Sequence, residues 1–85
     1  NRTIAAQAAD ELLNISGILT SFVLYPDGDR VIMSARSIGD TNVQVILEPL
    51  GGGGNAATAG AQITGMSITE VLRALIASID KYFEE

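Results

Sequence analysis

ILTSFVLYPDGDRVIMSAR, residues 18–36, is two apolar runs on either side of a four-residue break. The first run, ILTSFVLY at 18–25, has the β-branched and aromatic content of a strand. In the break, PDGD at 26–29, Pro26 sets one φ angle and Gly28 supplies a left-handed position. The second run, RVIMSAR at 30–36, alternates. Val31, Met33 and Ala35 fall on one face, and Arg30, Ile32, Ser34 and Arg36 on the other. The segment therefore predicts an antiparallel hairpin.

Upstream of it, residues 3–14 are rich in Ala and Leu, strong helix formers. Ile4, Ala5, Ala8, Ala9, Leu12 and Leu13 recur at helical spacing. Downstream, Asp40 or Thr41 is expected to cap a second helix starting near Asn42. Val43, Ile46, Leu47 and Leu50 supply its apolar face. Pro49, which has no N–H to give, is expected to end it a turn early, and Gly51 suits a left-handed stop. A short strand is expected over 60–64. Ser67 and Glu70 form an S-x-x-E capping box, with Met66 and Val71 placed for a hydrophobic staple. Ile68, Val71, Leu72, Leu75, Ile76, Ile79, Tyr82 and Phe83 then make one apolar stripe on a final helix. Glu84 and Glu85 read as a solvated tail. The order is helix, strand, strand, helix, glycine loop, strand, helix. It predicts an α/β domain, a small mixed β-sheet with helices packed on it.

Composition narrows the chemistry. Eighty-five residues, 47% hydrophobic and 18% charged, suit one globular domain with a modest core. With no Cys and no His, a disulfide framework, a thiolate, a His base and a His-rich metal site are all excluded within the chain. A net charge of −5 argues against wrapping a nucleic-acid backbone. No apolar run approaches the roughly 18 residues of a membrane span, and no secretory signal is visible. The chain opens at Asn1, without Met, directly into a helical pattern. Residues 1–85 are therefore expected to be a single domain excised from a longer protein.

The tract GGGGNAATAG, residues 51–60, is the unusual feature. No Lys-Ser/Thr follows the glycines, so it is not a P-loop. It follows a helix rather than a strand, so it is not a dinucleotide fingerprint. Composition leaves two readings open. One is a flexible connector between Leu50 and Thr58. The other is a backbone cradle, in which residues without Cβ let successive N–H groups approach an anion. Between Val31 and Leu72 the single cation is Arg36. It is either an exposed strand-end residue or a bidentate phosphate clamp, with hydroxyls from Ser34 and Ser37 beside it. Asp10 and Glu11 read as surface residues rather than catalytic ones.

The stretch VIMSARSIGDTNVQVILEPLGGGGNAATAGAQI, with SARS at 34–37 and the glycines at 51–54, resembles the DHH-associated C-terminal domain of the DHH phosphoesterase superfamily. The upstream AAQAADELLNISGILTSFVLY and the linking NVQVILEPLGGGG are most similar to GdpP-type cyclic di-AMP phosphodiesterases. The likeness runs from about Ile4 to Ile63. It implies a substrate-binding domain of an enzyme that opens cyclic di-AMP to a linear dinucleotide with two divalent ions, usually Mn²⁺. Those ions would sit in an upstream DHH domain and none in this chain, whose fragment alone would hydrolyse nothing.

Carried over residue by residue, the resemblance gives Gly52, Gly53 and Gly54 as the cradle and Ser34, Arg36 and Ser37 as polar contacts. The family has His after the glycines where this chain has Asn55, a hydrogen-bonding group without charge. The implied partners are a cyclic dinucleotide and the upstream DHH domain of the same chain; a homodimer is compatible with it. The domain itself would sit in the cytoplasm without touching the membrane that anchors its parent. Two further readings remain open. One is an oligoribonuclease or phosphoadenosine phosphatase of the same superfamily. The other is a non-catalytic nucleotide-binding module in which Asn55 marks lost activity.

Overall fold

The computed structural model describes residues 2–84; Asn1 and Glu85, the tip of the expected tail, lie outside the described residues. Helix α1, Arg2–Leu12, is followed by strands β1, Thr20–Asp27, and β2, Arg30–Ser37. Helix α2, Val43–Leu47, runs into a 3₁₀ turn over Glu48–Leu50. Strands β3, Gly53–Gly54, and β4, Thr58–Thr64, precede helix α3, Ile68–Tyr82. The strands form one sheet in the order β1-β2-β4-β3, and each pairing is antiparallel. The α/β class expected from the element order holds.

The hairpin forms where the turn chemistry places it. Asp27 pairs with Arg30 across a two-residue loop, and Gly28 takes φ +64°. Pro26 is not in that loop but in β1, opposite Val31. β1 is an edge strand, and an edge can leave an N–H position empty. The alternation in β2 also holds. Val31, Met33 and Ala35 join a core with Val43, Ile46 and Leu47 of α2 and Val71 and Leu75 of α3. The opposite face meets α1, so both faces of β2 are covered. β2 is accordingly buried from Val31 through Ala35.

Only the small residues Ala5 and Ala9 of α1 are buried, so the helix lies close against β1 and β2, while Ile4 and Leu12 remain exposed. The cap of α2 is Asn42, whose side chain accepts from Val45 N at 3.2 Å. The expected Asp40 and Thr41 precede it, because the first helical residue is Val43. Pro49 confines α2 to five residues and shunts the chain into the 3₁₀ turn; Gly51 stops that turn at φ +85°. The capping box of α3 is complete. Ser67 Oγ accepts from Glu70 N at 3.1 Å, and Ser67 N donates to Glu70 Oε1 at 2.9 Å. The expected stripe on α3 is only partly covered. Val71 and Leu75 enter the core and Ile79 and Tyr82 flank it, whereas Ile68, Leu72, Ile76 and Phe83 are exposed. The stripe is wider than the surface offered by α2 and β1.

Candidate functional site

α1 crosses β1 and β2 and stops short of β4 and β3. The uncovered half of that sheet face is the floor of a cleft of about 710 Å³, within the roughly 300–1,000 Å³ of small-molecule sites. Arg2, Thr3 and Ala6 of α1 form one wall, and Ser34 and Arg36 of β2 line its base. Thr58, Gly60 and Gln62 of β4 continue the floor, with Gly51–Gly53 at the far side. The strand register explains the grouping. Arg36 pairs with Thr58, Ser34 with Gly60 and Ile32 with Gln62, so these residues share one face.

The glycine tract is neither a free connector nor a uniform cradle, because its four positions do different work. Gly51 is the left-handed stop. At Gly52 a Cβ would stand 2.6 Å from Gly60 O, 2.9 Å from Ala61 Cβ and 3.0 Å from Leu47 Cβ. Gly54 has φ +144°, and a Cβ there would meet Thr58 O at 2.3 Å. Both are glycine because the chain packs on itself. Gly53, like Gly51, has nothing within 4 Å of a Cβ and lines the cleft, but unlike Gly51 it has no left-handed φ to satisfy. Two cross-strand pairs, Gly53 with Gly60 and Gly54 with Ala59, turn the tract into an edge strand.

The segment after the glycines is equally tied. Asn55 Oδ1 accepts from Ala57 N at 3.0 Å and Thr58 N at 2.9 Å, while Asn55 N donates to Thr58 O at 2.7 Å. Ala57 O accepts from Ser37 N at 2.9 Å, and Ala56 O from Val43 N at 3.0 Å. The turn thus holds the end of β2 and the start of α2. The small side chains at 56 and 57 fit a segment whose carbonyls are spent inside the fold.

Of the residues singled out in the sequence, the structure brings Ser34, Arg36, Gly52 and Gly53 together in the cleft. Ser37, Gly54 and Asn55 do not line it. Ser37 is on the opposite sheet face from Arg36, buried, donating to Gly39 O at 3.4 Å and accepting from Thr20 Oγ1 at 3.5 Å. Arg36 is not a loose strand-end residue. Its side chain is 15% exposed, its Nε donates to Asp10 Oδ1 at 2.9 Å and its Nη1 to Ala35 O at 2.9 Å.

Sequence reasoning missed Thr58, Gly60 and Gln62. The i, i+2 spacing in TAGAQ, read with β4 next to β2, would have found them. Arg2, Thr3 and Ala6 carried no such signal, because their role depends on where α1 crosses the sheet. Among the described residues the cleft lining holds two arginines, Arg2 and Arg36, and no carboxylate, in a chain of net charge −5.

The DHHA1 domain family matches residues 1–85. The chain is 46% identical over 85 residues to the cyclic-di-AMP phosphodiesterase GdpP of Geobacillus thermodenitrificans, covering 99% of this chain and 13% of the relative. It is 48% identical over 82 residues to the cyclic-di-AMP phosphodiesterase PdeA of Listeria monocytogenes, covering 95% of this chain and 12% of the relative. A membrane protein–large ribosomal subunit bL9 fusion protein of Aster yellows witches'-broom phytoplasma is 38% identical over 72 residues, 84% of this chain and 8% of the relative. The chain thus spans about an eighth of the length of the two phosphodiesterases. The chain belongs to the DHHA1 domain family, and its kin include DHH-family cyclic-di-AMP phosphodiesterases.

Proposed function

We propose that this domain holds the phosphates of a cyclic dinucleotide, cyclic di-AMP, for hydrolysis by a companion DHH domain. One observation carries the reading: a cleft lined, among the described residues, by two arginines and no carboxylate, in an acidic chain. Such a lining attracts an anion, and the Asp10 carboxylate beside it is already engaged by Arg36 Nε at 2.9 Å. Arg36 is the clamp, because guanidinium N–H groups match phosphate oxygens geometrically. Ser34 adds a hydroxyl, and Gly53 lets a ligand oxygen reach the main chain. Gly52 and Gly54 contribute by allowing the fold to form. Ser37 and Asn55 support the frame, and only the amide nitrogen of Asn55 is left to reach a ligand.

Among the described residues, no group of three or more His, Cys, Asp or Glu side chains could hold a metal. Two divalent ions, Mn²⁺ by the family resemblance, belong to the proposed companion domain, where they would activate water. Here the residues bind and orient. No described helix is long and apolar enough to cross a membrane; the proposed membrane anchor of the parent, with this domain in the cytoplasm, is assigned to another segment.

The test is cyclic di-AMP affinity of the full-length protein with divalent metal withheld. Arg36→Ala is expected to lose about 1.5–3 kcal/mol, the range for a hydrogen bond to a charged group. Arg36→Lys recovers part of it. Unchanged affinity in Arg36→Ala overturns the reading. Tighter binding of a short oligoribonucleotide or of phosphoadenosine than of cyclic di-AMP moves it to those branches of the superfamily.

A further inference from the structure

We infer that Asp10 is a positioning residue, which orients the Arg36 guanidinium toward the cleft. The inference rests on the phosphate-clamp reading of Arg36. An arginine side chain has many rotamers, and a clamp works only if its plane is fixed before the ligand arrives. Two bonds fix this one. Nε donates to Asp10 Oδ1 at 2.9 Å and Nη1 to Ala35 O at 2.9 Å. Anchors on two different nitrogens set both the position and the roll of a planar group. Of the five guanidinium N–H groups, three then remain, and Arg36 lines the cleft.

Asp10 is itself placed. Its neighbour Ala9 is buried against the sheet, and Ala9 O accepts from Ser21 Oγ at 2.7 Å. Arg2, Ala6 and Asp10 follow at i, i+4 spacing, one row of α1, and the first two line the cleft wall. Ala6 leaves room between the two charged ends of that row. Asp10 is 63% exposed and engages Arg36 through one oxygen. An ion pair that open contributes little to stability. Its value is in the direction it gives to a guanidinium that is only 15% exposed.

Cyclic di-AMP binding to the full-length protein, divalent metal withheld, tests this with four variants. Asp10→Ala is expected to weaken binding about three- to tenfold, as expected for one lost orienting bond. Asp10→Asn keeps an acceptor for Nε and should restore most of that loss. In an Arg36→Ala background, Asp10→Ala should cost nothing further. Unchanged or tighter binding in Asp10→Ala overturns the inference, the latter by showing the carboxylate to compete with phosphate. Equal weakening by Asn and Ala overturns it too. So does an undiminished Asp10→Ala effect without Arg36, because a purely structural role would add independently. If Arg36→Ala alone leaves affinity unchanged, the clamp reading falls and the role of Asp10 with it. If Arg36→Ala weakens binding and Asp10→Ala does not, only the inference falls.

Discussion

Ser21 and Arg36 stand directly opposite each other on β1 and β2, and they grip consecutive residues of α1. Ser21 Oγ donates to Ala9 O, and Arg36 Nε donates to Asp10 Oδ1. One cross-strand pair thereby fixes where the helix crosses the sheet, and so how much of the β4–β3 half stays bare. Leu13 N donates to Asp10 O, which leaves Ala9 O for the serine near the helix end.

Ser21→Ala removes that donor and strands a buried carbonyl. The expected loss is about 1–3 kcal/mol, the cost of an unsatisfied buried group. It should be local. Amide hydrogen exchange should accelerate in α1 more than in α3, and uniform acceleration across both helices would contradict the assignment.

Gly52 and Gly53 should respond oppositely to alanine. At Gly52 the new Cβ overlaps Gly60 O and two side chains, so Gly52→Ala should cost about 1–3 kcal/mol in denaturant unfolding. Gly53→Ala meets open space and should stay within about 0.5 kcal/mol of the parent. Its methyl group stands in the cleft instead, so on the proposed function cyclic di-AMP affinity should fall while stability holds.

Asn55 serves its own turn through one oxygen. Asn55→Ala gives up both acceptor bonds and should destabilise by about 1 kcal/mol or more, whereas Asn55→Asp keeps an oxygen there and should cost less. Equal midpoints in urea for the two variants would show that the turn does not depend on this side chain.

Glu70 titrates below its ordinary value, because the backbone N–H of Ser67 and then its side chain bond to the carboxylate. A carboxylate with a depressed folded pKa stabilises above its unfolded value and loses that contribution as pH falls through the folded one. Stability of the parent should therefore decline on acidification below about pH 4.5, with a component that Glu70→Gln lacks. Superimposable pH profiles for the two would refute the linkage.

Local chemistry was legible in the sequence. Gly28, Pro49, Gly51 and the Ser67–Glu70 box each act within a turn or two of themselves, and each does what its residue type dictates. The site was legible only in part. Ser34 and Arg36 could be placed on one face from alternation, but Ser37, adjacent in sequence, follows the same alternation to the other side. Gly52, Gly53 and Gly54 look equivalent in the sequence, and only contacts with Gly60, Ala61 and Thr58 distinguish Gly52 and Gly54 from Gly53. Asp10 read as an ordinary surface carboxylate, because its partner is 26 residues away and depends on helix docking. Such long-range placement leaves no local periodicity to read.

The two-residue length of β3 bears on how the chain behaves among its own copies. An exposed sheet edge is a template for strand addition and aggregation, and proteins commonly blunt it by keeping the outer strand short. Gly53 and Gly54 offer an edge too brief to seed a ladder, bounded by the left-handed Gly51 on one side and the Asn55 turn on the other. A longer β-branched strand there would pair better with β4 and also recruit neighbours. The glycines therefore guard against intermolecular pairing at that border of the sheet.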